Sequence, residues 1–100
     1  MFTPPQIPAT SNKTIVFSGG VGAARFLEGL VQILPRDAVC AIVNTGDDVE
    51  MHGLMISPDV DIVLCTLAGI IHPTQGWGIV DDSDHCMQML GKLGAPTWFM

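Results

Sequence analysis

The sequence predicts an α/β fold, the amino-terminal part of a doubly wound parallel sheet, and three observations carry that expectation. Lys13–Ser18 is a short β-branched and aromatic run that stops at Gly19-Gly20-Val21-Gly22. The segment after it repeats apolar residues at helical spacing. Ala38–Val43 is then a second apolar run without polar alternation, the pattern of a strand covered on both faces. A strand, a helix and a strand within about 30 residues make a βαβ unit with a right-handed crossover. Such a unit opens a Rossmann-like sheet.

The elements follow in order. Ala23, Phe26, Leu27, Leu30, Val31 and Leu34 fall on one stripe of a 3.6-residue helix, with Arg25, Glu28 and Gln32 off it and Pro35 at its end. Asn44-Thr-Gly-Asp-Asp48 is a polar loop at the carboxyl end of the second strand. Val49–Ile56 fits neither period. Ser57-Pro58-Asp59 reads as a helix start, with a hydroxyl cap, a proline in the first turn and an acid at the positive end of the dipole. The stripe Val60, Val63, Leu64, Leu67, Ala68, Ile71 predicts that this helix runs to Ile71, where His72-Pro73 breaks it. Trp77–Val80 predicts a short extended piece. Asp81-Asp82-Ser83 would cap a last helix carrying Cys86, Met89, Leu90 and Leu93, closed by Gly94 and Pro96. Residues 1–12, with three prolines, are expected to be a flexible leader. Residues 13–100 are expected to form the amino-terminal portion of a nucleotide-binding α/β domain, because two strands are few for a parallel sheet.

Composition narrows the function classes. The chain has 100 residues, 48% of them hydrophobic and 14% charged, so it is not of the disordered class. A net charge of −6 argues against a phosphate-neutralising nucleic-acid surface. The longest nearly apolar stretch, Ile62–Ile71, falls short of the ~20 residues a membrane helix needs. The first residues lack the basic and apolar regions of a signal peptide. Cys40, Cys65 and Cys86 form no CxxC pair and point to a reducing compartment. A cytoplasmic protein, without nucleic-acid or membrane partners, is therefore expected. A chain this small leaves much of its apolar content exposed, so a partner subunit or further polypeptide should cover part of it. A homo-oligomer is expected of the full-length form.

Two constellations carry chemistry. In Ser18-Gly-Gly-Val-Gly-Ala-Ala-Arg25, the glycines let backbone approach an anion, and the following helix aims free N–H groups and its positive end at it. Arg25 adds a bidentate phosphate donor one turn in. The same glycines also serve a plain tight turn, and the run is neither G-x-G-x-x-G nor a Walker loop. The second constellation is acidic: Asp47 and Asp48 after the second strand, Asp59 and Asp61 at the next helix start. Loops at the carboxyl ends of parallel strands line one crevice, so the glycine and Asp47–Asp48 loops should face the same site. Carboxylates beside a phosphate call for a cation, and Mg2+ held by one or two carboxylates plus phosphate is the common arrangement. Asp47 also suits a turn, Asp59 a cap and Asp61 a solvated helix face. Asn44 stands where an NAD site wants an acid, which weakens a dinucleotide reading. His52, His72 and His85 share no ligand spacing. Trp77, between two glycines, suits either stacking on an aromatic ring or anchoring a core. The cysteines and Met51, Met55, Met87 and Met89 read as packing.

Taken together, Phe17–Leu30, Val43-Asn-Thr-Gly-Asp-Asp48, His52-Gly-Leu, Ile56-Ser-Pro-Asp-Val-Asp61, Thr66-Leu-Ala-Gly69 and Gly76-Trp-Gly78 resemble the 2-phospho-L-lactate transferase family of deazaflavin-coenzyme biosynthesis. The resemblance runs from residue 14 to 99. Gluconeogenesis-factor proteins share a similar glycine loop, but Ser-Pro-Asp-Val-Asp and Gly-Trp-Gly favour the transferase branch. It implies transfer of a phospholactyl or phosphoenolpyruvyl group from a GDP-activated donor to 7,8-didemethyl-8-hydroxy-5-deazariboflavin, with release of GMP and assistance from Mg2+. It also implies that Gly19, Gly20, Gly22, Arg25 and Asn44 face the nucleotide. Asp48 and Asp61 are implied as the catalytic, metal-serving acids, with Asp61 on the deazaflavin side. Family members are roughly two domains long, so an amino-terminal third is expected here. The alternative is a non-catalytic nucleotide-binding module or an inactive fragment of such a transferase.

Overall fold

The computed structural model describes residues 12–97. Its elements are β1 (Thr14–Ser18), α1 (Gly20–Ile33), a 3-10 turn (Arg36–Ala38), β2 (Val39–Val43), β3 (Val49–Met51), β4 (Leu54–Ile56), α2 (Pro58–Leu67) and α3 (His85–Lys92). All but the last residue of the expected leader lie outside the described residues.

β1 and β2 pair in parallel, with Thr14 opposite Val39 and Ser18 opposite Val43. α1 is the crossover between them, so the predicted βαβ unit is present and the fold is α/β. Alternation along the strands sorts their side chains by face. Val16 of β1 and Val39, Ala41 and Val43 of β2 pack under the helices, against a core of Ala24, Leu27 and Val63. Leu27 is wholly buried and is worth about 1.5–3 kcal/mol on that account. Both α1 and α2 lie on this one face. The opposite face carries Ile15, Phe17 and Ile42, all exposed, with Phe17 at 81%. The molecule measures 55 × 38 × 17 Å, and its thin dimension fits one layer of helix on one sheet.

The stretch 49–56, which fits neither period, folds as an antiparallel hairpin in which Val49 opposes Ile56 and Met51 opposes Leu54. Its turn residues, His52 (φ 54°) and Gly53 (φ 75°), both lie in the left-handed region, the requirement of a two-residue type I′ turn.

α2 stops at Leu67, four residues before the expected Ile71. Gly69, at φ 75°, takes the left-handed position after the cap. The Ile70 N–H donates to the Cys65 carbonyl and the Gly69 N–H to that of Thr66, at 3.0 and 3.1 Å. That bond pair is a Schellman closure, and it overrides the apolar stripe that continues into Ile70 and Ile71. Ile71 instead bridges Ile79 across a pinned loop, where the expected extended piece at Trp77–Val80 is reduced to this bridge. The His72 N–H donates to the Gly78 carbonyl and the Val80 N–H to that of Ile70.

α3 ends as the sequence predicts, with Gly94 left-handed and the Ala95 N–H bonded to the Leu90 carbonyl. Its start differs. The N-cap is Asp84, and the Asp84 carboxylate accepts from Gln88 Nε2 at 2.9 Å instead of capping a backbone N–H. Asp81 sits in a left-handed turn and Asp82 accepts from the Ser83 N–H, so the 81–83 run makes local turn bonds.

Candidate functional site

The parallel pairing of β1 and β2 brings their carboxyl ends side by side. The Asn44 N–H donates to the Ser18 carbonyl at 2.8 Å, extending the ladder one step beyond the strands. The glycine loop and the 44–48 loop therefore emerge as neighbours. A Cβ placed on Gly19 would stand 3.8 Å from Cβ of Asn44. Gly20 has φ 59°, a left-handed conformation that glycine adopts without strain, and it starts α1. Gly22 is exposed on the first turn of α1.

Asn44 organises this end of the sheet. Its Oδ1 accepts from the Gly46 N–H at 3.0 Å, the local bond that shapes the loop. Its Nδ2 donates to Asp59 Oδ2 at 2.8 Å. Asp59 is only 8% exposed, and its Oδ1 lies 3.7 Å from where a Cβ on Gly20 would stand. The first turn of α2 is thus tied to the 44–48 loop and lies against the glycine loop. Asp47 is exposed in the turn closed by the Asp48 N–H on the Thr45 carbonyl.

Asp48 is held differently. Its Oδ2 accepts from Ser57 Oγ at 2.9 Å. Its Oδ1 is buried and has no hydrogen-bond partner. A buried, unpaired carboxylate oxygen is costly unless a cation or water completes it. No group of three or more His, Cys, Asp or Glu side chains poised around a metal occurs among the described residues. The orphaned Asp48 oxygen is a donor of the kind Mg2+ takes, since that ion uses one or two carboxylates and leaves its other positions to phosphate oxygens and water.

Asp61 stands apart from this cluster. It is exposed and lines a cleft of about 500 Å³ with Ile56, Pro58, Ile62, Cys65, Ile71, Trp77, Gly78, Ile79 and Asp82. Ile56 and Pro58 flank Ser57, so the cleft opens beside the Asp48–Ser57 bond. Its wall is mostly apolar, with one indole and two carboxylates. Arg25 lies on α1 with its Nη2 3.3 Å from where a Cβ on Gly76 would stand. It lines the groove shared with Glu28, Thr66 and Gly69.

A 2-phospho-L-lactate transferase CofD family model matches residues 14–93. The chain belongs to the 2-phospho-L-lactate transferase family. The chain is also 50% identical over 93 residues to a phosphoenolpyruvate transferase of Nocardia farcinica, covering 92% of this chain and 28% of the relative. A phosphoenolpyruvate transferase of Streptomyces coelicolor is 44% identical over 88 residues, covering 87% of this chain and 28% of its own length. One of Mycobacterium tuberculosis is 43% identical over 101 residues, at 87% and 30%. The chain thus spans less than a third of the length of these relatives. Every site residue named from the sequence falls inside the matched span.

Of those residues, the structure brings Gly19, Gly20, Asn44 and Asp48 to one end of the sheet and places Asp61 on the adjoining cleft. It sets Arg25 against the loop at Gly76. Two side chains have roles that the sequence reading gave to helix capping. Asp59 bonds Asn44, and Ser57 bonds Asp48 with no side-chain cap of its own helix. A hydroxyl before proline carries no sign of which acceptor it will choose. Among the described residues no helix is long and apolar enough to cross a membrane.

Proposed function

We propose that the protein transfers a phospholactyl or phosphoenolpyruvyl group from a GDP-activated donor to 7,8-didemethyl-8-hydroxy-5-deazariboflavin, releasing GMP. The observation that carries this reading is the convergence of the glycine loop, Asn44 and the half-satisfied Asp48 at one sheet end, beside the Asp61–Trp77 cleft. The names of the similar proteins favour phosphoenolpyruvyl as the group moved.

The chemistry asks mainly for positioning and charge neutralisation. Backbone N–H groups of Gly19, Gly20 and Gly22, at the positive end of α1, receive the diphosphate. Arg25, seated against the loop at Gly76, adds positive charge to that end of α1 at longer range. Asp48 would hold Mg2+ through its unpaired Oδ1, and the ion when bound would neutralise charge building on the phosphate oxygens. Trp77 offers its face to the flat deazaflavin ring. The terminal ribityl hydroxyl attacks the phosphorus that carries the phospho-acid. The bond from that phosphorus to the GMP oxygen breaks, GMP leaves with the bonding pair, and the Asp61 carboxylate takes the hydroxyl proton.

Incubating the full-length protein with the deazaflavin, the enolpyruvyl ester of GDP and Mg2+ tests this. The expected result is GMP and a phospho-acid ester of the deazaflavin, both seen by mass spectrometry and both dependent on the deazaflavin. GMP release at the same rate without the deazaflavin, or no release at all, would overturn it.

A further inference from the structure

We propose that Ser57 is a positioning residue for the metal-binding carboxylate: its hydroxyl locks Asp48 so that Oδ1 is presented as the free ligand atom. The proposal rests on the reading of Asp48 as a cation ligand given above.

Three observations carry it. Ser57 precedes Pro58 as the N-cap residue of α2, where a serine oxygen ordinarily accepts from a backbone N–H of the first turn. Here it makes no such bond, and its hydroxyl donates to Asp48 Oδ2 at 2.9 Å. The capping bond is forgone at that helix end. The other oxygen of the same carboxylate is buried with no partner. One oxygen is therefore fixed by a neutral donor while the other is desolvated and left unpaired. Such an outer hydrogen bond sets the rotamer of a ligating carboxylate before the ion arrives. The two residues also come from different elements. Asp48 precedes the β3–β4 hairpin and Ser57 follows it, so the bond closes the base of the hairpin. The hairpin's register thus delivers the ligand's orientation to the mouth of the Asp61 cleft.

Manganese is the probe, because the loss of its free-ion electron paramagnetic resonance signal reports binding directly. Mn2+ is titrated into the full-length protein and into Ser57→Ala, Ser57→Thr and Asp48→Asn variants, with thermal unfolding recorded for each. Asp48→Asn keeps an acceptor for Ser57 but removes the charge, and it should abolish the binding. Ser57→Ala should weaken Mn2+ affinity roughly tenfold or more, and Ser57→Thr, which keeps the hydroxyl, should restore it. Full Mn2+ affinity in Ser57→Ala, with binding lost in Asp48→Asn, would overturn the role of Ser57 and leave Asp48 as ligand. Unchanged affinity in Asp48→Asn, or no Mn2+ binding by the unmodified protein, would remove the reading beneath it. Loss in both Ser57→Ala and Ser57→Thr, with a lowered melting temperature, would assign the bond to hairpin closure and also overturn the proposal.

Discussion

At the residue scale, short polar side chains join segments that are distant in sequence. Asn44 spans two of them, accepting from the Gly46 N–H and donating to Asp59. Asp59, at 8% exposure, is a buried acid, and that bond satisfies one of its oxygens. Asp59→Ala should lower stability by about 1–2 kcal/mol, read from the denaturation midpoint of the full-length protein. An unchanged midpoint would mean that water replaces the bond. The sequence places Asn44 and Asp48 in a polar loop after a parallel strand, and it is the family resemblance that singles out these two and Asp61 of the next helix as site residues. It does not make Ser57 and Asp59 legible in the same way. A Ser-Pro-Asp start satisfies every local rule for a helix cap, and only the proximity of the 44–48 loop diverts both side chains from that use.

At the element scale, periodicity locates β1, α1, β2 and the body of α2, because each presents one apolar face to the same core. It misjudges the end of α2, since two isoleucines extend the stripe past the point where Gly69 turns left-handed. It leaves the hairpin open because its three-residue strands are too short to establish a period. His52-Gly53 is the one local sign of the turn. The loop from Gly69 to Val80 depends on close approach and not on pattern. Gly76 is buried at φ 74°, and a Cβ there would stand 2.6 Å from Cγ1 of Val21. Gly76→Ala should therefore destabilise the protein by roughly 2 kcal/mol or more and shift the neighbouring Trp77. Melting temperature and deazaflavin affinity should fall together. A variant that keeps both would show that the loop is free to lift from α1.

At the scale of the whole molecule, a parallel sheet bears helices on one face and, among the described residues, is bare on the other. Parallel sheets are covered on both faces, and the curated relatives are more than three times as long as the matched span. Part of the chain's 48% hydrophobic content lies on that uncovered face, as Ile15, Phe17 and Ile42. Phe17, 81% exposed here, should be buried in the full-length protein. Phe17→Ala in that protein should then cost about 3 kcal/mol or more, whereas a solvated phenylalanine would change stability by less than about 0.5 kcal/mol. Urea unfolding of the two proteins separates these outcomes.

If transfer takes place where the Asp48 end of the sheet meets the Asp61 cleft, Asp61 is the group that takes the ribityl proton. The most direct measurement is kcat/KM for the deazaflavin in an Asp61→Asn variant of the full-length protein, with the melting temperature as a control for folding. Loss of the proton acceptor predicts a fall of roughly a hundredfold or more at an unchanged melting temperature. An undiminished kcat/KM in a folded Asp61→Asn protein would contradict it.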